Sequence, residues 1–161
     1  MHAATRYSRG WAAHLLAPGG TVHVDILKVP HHGSDRNIDP VFFRRITADH
    51  YVFSGNGEHG NPERATLRML TDTAGSRRFT VHLTCPVDEI DTAREADWNK
   101  ERKAEMARKK KDAKVQVRVA WSCAKHSIAA LLSAQPKFAQ TLRIVDINSP
   151  HMIDLLSPVK F

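Results

Sequence analysis

Only two cysteines occur in the 161 residues, Cys85 and Cys123, far apart and in no CxxC pair. That count excludes a disulfide-stapled scaffold and a paired-cysteine metal knuckle, and both thiols read as reduced and structural. No apolar run approaches the roughly 18 residues of a membrane span. No stretch at the start has the apolar centre of a secretory signal. The expected address is the cytoplasm, with no membrane span. Aromatic residues are few, at 7%. Acids are also missing from the start: none stands between Met1 and Asp25.

The remaining composition is that of a soluble protein long enough for one domain, with 42% hydrophobic and 25% charged residues. The formal charge of +7 is local rather than general. Nine Lys or Arg and three acids lie between Lys100 and Arg118, so that segment supplies +6 of it. Lys109, Lys110 and Lys111 form its densest part. They read as nucleic-acid phosphate contacts or as a solvated helix face. Only Trp98 and Trp121 lie nearby, which argues against a stacking platform for single strands.

Along the chain, Ala17-Pro18-Gly19-Gly20 reads as a turn. Thr21 to Val29 reads as a strand, with Val22, Val24 and Ile26 alternating. Asp39-Pro40 reads as a cap and first turn for a short helix over Val41–Thr47. Tyr51–Ser54 is a buried-type strand. Asn61-Pro62 reads as a second helix start, with the helix running to about Thr73 and stopping at Gly75. Phe79–Leu83 is a third strand. The alternation predicts an α/β layered sheet. Pro86 to about Lys111 reads as a polar, exposed helix with a thin stripe of Ile90, Ala93 and Ala104. Val115, Val117, Val119 and Trp121 alternate as a half-buried strand. Ser127 reads as the cap of a helix to about Ala134, restarted at Pro136. Arg143–Ile147 and Met152–Leu156 read as two closing strands. The organisation is 1–84 as a sheet-and-helix region bearing the site, 85–114 as a basic helix or linker, and 115–161 as an α/β tail of the same domain.

Ten histidines are many for this length, and two groups of them follow strands directly. His31-His32-Gly33-Ser34 ends the first, and Glu58-His59-Gly60-Asn61-Pro62 ends the second. The carboxyl edge of an α/β sheet is where sites are built, and neighbouring strands bring such loops together. Neutral imidazole ligates zinc, manganese and iron, and a metal so held makes hydroxide available near neutral pH. Taken alone, His31-His32-Gly33-Ser34 also reads as a turn whose histidines cap the next helix, and His59 in its glycine-rich loop carries little by itself. Ser34 reads as a hydrogen-bond partner of a ligating histidine or of a phosphate oxygen, or as a helix cap. Asp25 reads as an edge-strand charge or as a partner behind a ligating histidine. His126 and His151 read as structural or exposed. Ser127 lacks the flanking glycines of a nucleophile elbow, which argues against a serine hydrolase.

The run Asp25-Ile26-Leu27-Lys28-Val29-Pro30-His31-His32-Gly33-Ser34 resembles the late segment of metallo-β-lactamase-fold hydrolases. Ala48 to Ser54, followed by Gly57-Glu58-His59-Gly60-Asn61-Pro62, continues the resemblance. It is nearest to the ComEC-type DNA-uptake proteins and their stand-alone relatives, is specific over about Thr21 to Leu70, and is weaker beyond Leu83. It implies an αββα sandwich, a zinc or manganese site of one or two ions, and hydrolysis of phosphodiesters or small esters. His31, His32 and His59 match the family's late histidines, with the choice between His31 and His32 open. The family's HxHxDH motif and bridging aspartate are absent. His2 and His14 do not supply the motif, and Thr5 to Gly10 stand where the aspartate would be. The resemblance therefore implies the C-terminal part of a longer hydrolase, of low activity alone. A non-catalytic module using the basic segment for nucleic acid or a protein partner is the alternative.

Overall fold

The computed structural model describes residues 19–146, 148–149 and 151–155. Readings that involve His2, His14, Thr5 to Gly10 and the Ala17-Pro18 half of the first turn lie outside these residues. So do Ile147 and the last residue of the expected strand Met152–Leu156.

The chain is α/β. Four parallel strands lie in the order β1-β2-β3-β4: β1 (Val22–Lys28), β2 (Ile46–Phe53), β3 (Thr80–Leu83) and β4 (Leu142–Ile144). Register runs from Val22 opposite Ile46 to Lys28 opposite Val52, then Tyr51 opposite Val81, then Leu83 opposite Ile144. Connections between parallel neighbours need crossovers. They are α1 (Pro40–Arg45) with α2 (Arg64–Ala74) on either side of β2, and then α3 (Val87–Lys109), α4 (Cys123–His126), α5 (Ile128–Ala134) and α6 (Pro136–Ala139) between β3 and β4.

Alternation decides which strand residues meet the helices. Tyr51, Phe53, Val81 and Leu83 are buried and share one core with Phe43 of α1, Leu67 and Leu70 of α2, Ile90 of α3, Ile128 and Leu131 of α5, and Phe138 of α6. Phe43 and Phe79 pack edge-on against Tyr51, with ring centroids 5.9 and 5.5 Å away. The opposite face carries Ile26, which is 39% exposed, together with His50 and His82.

Local signals explain three element ends. The Asp39 carboxylate accepts from the Phe42 amide at 2.9 Å, with Pro40 in the first turn of α1. Ser127 accepts from the Ala130 amide at 3.0 Å and so caps α5. Gly75 ends α2 with a positive φ of 60°.

Four expectations are corrected. β2 begins at Ile46, so Ile46 and Thr47 are strand rather than helix. Asn61-Pro62 does not start α2, which begins at Arg64; the Asn61 carbonyl accepts from Gly57 at 2.7 Å and its amide donates to Glu58 at 3.2 Å, closing the loop instead. Val115 to Trp121 joins no sheet. Its backbone is satisfied by α3 side chains: Trp98 donates to the Val119 carbonyl at 2.9 Å, Arg102 to the Arg118 carbonyl at 3.2 Å, and Glu105 accepts from the Arg118 amide at 2.8 Å. Val115, Val117 and Trp121 are half-buried, but Val119 is 65% exposed. Residues 151–155 likewise form no strand, and Met152 is 87% exposed. No helix among the described residues is long and apolar enough to cross a membrane.

Candidate functional site

β1 and β2 end side by side, and each releases its histidine loop at the same edge. After β1, His31 (φ 48°) and His32 (φ 57°) turn in the left-handed region; after β2, His59 does so (φ 56°). Among the described residues these three are the non-glycine positions with positive φ. Each costs on the order of 1 kcal/mol against the ordinary helical region, so packing must impose it. Gly33 (φ 90°) supplies the packing after β1: a Cβ there would lie 2.7 Å from the Phe53 ring and 3.1 Å from Pro62. Gly57 (φ 96°) does the same after β2, where a Cβ would come within 2.4 Å of the Ile90 carbonyl of α3.

The two loops are tied together by Glu63. Its amide donates to the Gly33 carbonyl at 3.0 Å, and its carboxylate accepts long bonds from the Ser34 hydroxyl and the Asp35 amide, both at 3.4 Å. Burial, and then the charge of Asp35, raises the Glu63 carboxyl above its ordinary range. Ser34 is thus a buried link between loops and caps no following helix. The His32 ring meets the Ser54 hydroxyl at 2.9 Å, at the end of β2. On the far side Arg94 of α3, 8% exposed, donates to the Gly60 carbonyl at 3.0 Å and the His126 carbonyl at 2.8 Å, and it pairs with Asp91 at 3.3 Å. Asp91 accepts in turn from the Ile128 and Ala129 amides at the start of α5.

His31, His32 and His59 line one open cleft of about 940 Å³. Its other wall is α3 and the extended segment after it: Asp97, Trp98, Glu101, Arg118 and Trp121. That wall is self-satisfied. Arg118 pairs with Glu105 at 2.8 Å and lies 5.0 Å over Trp98. Arg94 lies 5.5 Å over Trp121, and the His126 ring packs 4.5 Å from Trp98.

The three imidazoles share the cleft, yet their rings are on exposed residues. Among the described residues no group of three or more His, Cys, Asp or Glu is arranged to hold a metal ion. The donor set present therefore does not fit a closed zinc or manganese site, which wants three or four converging ligands. Asp25 is exposed on β1, the outer strand, and Lys109, Lys110 and Lys111 are exposed at the C-terminal end of α3.

The sequence did not point to Glu63, Arg94 or the indole pair Trp98–Trp121. Glu63, three residues after Gly60, was the one with a local cue. Nor did it point to a string of three histidines on the opposite face of the sheet. His50 of β2 meets His82 of β3 at 3.1 Å, and His82 meets His151 at 2.7 Å.

No family model matches the chain, and no solved structure matches it. Over 79 residues, 48% of its length, the chain is 35% identical to microtubule-associated protein 1A of Rattus norvegicus and of Homo sapiens. Over 86 residues, 52% of its length, it is 34% identical to microtubule-associated protein 1S of Bos taurus. The chain spans 3% of the length of the first two and 8% of the third.

Proposed function

We propose that the chain is the later part of a metal-dependent hydrolase of the metallo-β-lactamase superfamily, acting on phosphodiester or ester bonds and turning over little by itself. The observation that carries this reading is the shared strain of His31, His32 and His59: three left-handed histidines on two adjacent strand-end loops, opening on one cleft. Sparse, costly backbone conformations concentrate where geometry serves a site. Asp35 and Glu63 line the same cleft, with Glu63 engaged by Ser34 and the Asp35 amide, so the exposed imidazoles on this reading hold a divalent ion weakly.

The test is a titration of the purified chain with zinc and with manganese, read at the histidine side chains by NMR, beside an assay on a generic phosphodiester. The expected outcome is weak zinc-dependent shifts at His31, His32 and His59, with those remaining at His31 and His32 reduced in His59→Ala, and little turnover. Strong turnover by this chain would overturn the incomplete site, and unshifted cleft histidines would overturn the metal role.

One observation favours a second reading, a non-catalytic module that binds nucleic acid or a protein partner through the basic segment. Arg118 is held by Glu105, whereas Lys109, Lys110 and Lys111 stand exposed together. Charge reversal at the three lysines abolishes binding on this reading, and His59→Ala leaves it intact. The partial likeness to microtubule-associated proteins favours neither reading.

A further inference from the structure

The face of the sheet away from the core is crossed by the histidine string, and the arithmetic of its protons has a consequence. His50 Nδ1 lies 3.1 Å from His82 Nε2, and His82 Nδ1 lies 2.7 Å from His151 Nε2. Both nitrogens of the middle ring are therefore engaged by other imidazoles. A neutral imidazole has one N–H donor and one acceptor nitrogen. When all three rings are neutral, the two hydrogen bonds must run in the same sense, from His50 towards His151 or the reverse. One extra proton is tolerated at an end ring, which then donates inward while the string keeps its sense. Two extra protons, one on each end ring, make both ends donors. His82 would then have to accept at both nitrogens, which a neutral ring carrying one hydrogen cannot do, so one bond must open.

We propose that His50, His82 and His151 form a proton-counting latch: the string holds the C-terminal segment on the sheet while it carries at most one extra proton, and releases it when a second arrives. His151 is the yielding partner. His50 and His82 are fixed in paired strands, whereas residues 151–155 belong to no helix or strand. The surroundings keep His82 from taking the second proton itself. It is 4% exposed, and its register neighbour on β4 is Arg143. Burial first, then the charges of His151, His50 and Arg143, press the His82 ring down to about 4. The register neighbours of His50 are Ile26 on β1 and Thr80 on β3, neither titratable. Lys28 stands one step along, opposite Val52. From the tail side come His151 and, three residues on, Asp154; Asp146 accepts from the Asn148 amide at 2.8 Å.

The experiment uses the full chain, with backbone order parameters of Met152 to Leu155 measured by NMR at about pH 7.5 and about pH 5, the range that histidine titration covers. In the wild type the values fall from roughly 0.8 to below about 0.6. His151→Gln removes one titrating end and abolishes the change. His50→Gln removes the other end while leaving the His82–His151 bond in place, and it also abolishes the change. Both sites are only partly buried or exposed, so both variants keep the core. Equal order at the two pH values in the wild type overturns the latch. So does a pH step that survives in His50→Gln, because His151 would then respond to its own proton alone.

Discussion

Each cleft histidine bears a backbone cost that glycine in its place would not, since glycine enters the left-handed region freely. His59→Gly is expected to leave stability within about 1 kcal/mol of the parent, because relief of strain offsets the extra freedom of the unfolded chain. The same variant should reduce the zinc-dependent shifts at His31 and His32; denaturant unfolding and metal titration check the two halves. Gly33→Ala goes the other way. It sets a Cβ 2.7 Å from the Phe53 ring at a φ of 90°, and a loss of about 2–3 kcal/mol is expected from strain and overpacking together. His82 gives a prediction in pH. Its ring is held at about 4 in the folded chain, below the ordinary 6.5. The unfolded chain therefore takes up this proton as pH falls through 6.5, and the folded chain does so only near 4. Stability drops across that window, by at most about 3 kcal/mol. Urea midpoints measured from pH 7 to pH 4 should show the fall, and His82→Asn should flatten it.

At the scale of elements, α3 looks from its sequence like a solvated basic helix, and its basic end is one. Its first half does something else. Ile90 is buried in the core, and Arg94 joins the His59 loop to the turn before α5. Arg94→Met would leave the half-buried Asp91 without its cation, and the Gly60 and His126 carbonyls without a donor. Breaking a buried pair on one side costs about 3–5 kcal/mol. The expected signature is a lowered denaturation midpoint, with the resonances of Glu58 to Gly60 broadened before the rest. β1, α1 and the end of α2 were legible because each rests on a short-range signal: alternation at Val22, Val24 and Ile26, the Asp39 cap, and Gly75. Val115 to Trp121 carries an equally clear alternation and is not in a sheet. Alternation reports extended backbone, and whether a ladder forms depends on what stands beside it. Here that is α3, whose Trp98, Arg102 and Glu105 take the backbone groups.

For the whole molecule, an α/β layered sheet and the meeting of the two histidine loops could be read from the order of elements, while the parallel direction of all the described strands comes from the structure. The second wall of the cleft could not. Trp121 and Trp98 are joined through a segment whose reading as a strand pointed elsewhere. The contact of His82 with His151 spans 69 residues, and no local pattern encodes it. The charge distribution, by contrast, is a matter of counting, and it leads to a prediction. If Lys109, Lys110 and Lys111 neutralise phosphates of double-stranded DNA, each contributes about 0.9 to the slope of log affinity against log salt. Replacing all three with glutamate should reduce that slope by about 3, and fluorescence anisotropy at several salt concentrations measures it. A slope unchanged by the substitutions removes the segment from the interface.

All four strands among the described residues point the same way, and every α-helix between them except α4 contributes to one core. Whatever the chain carries just beyond β1 or β2 therefore emerges on a single rim. Lengthening or exchanging those two connections reshapes that rim while the strand ladder and the apolar interior keep their residues. The architecture separates what must stay constant from what is free to vary.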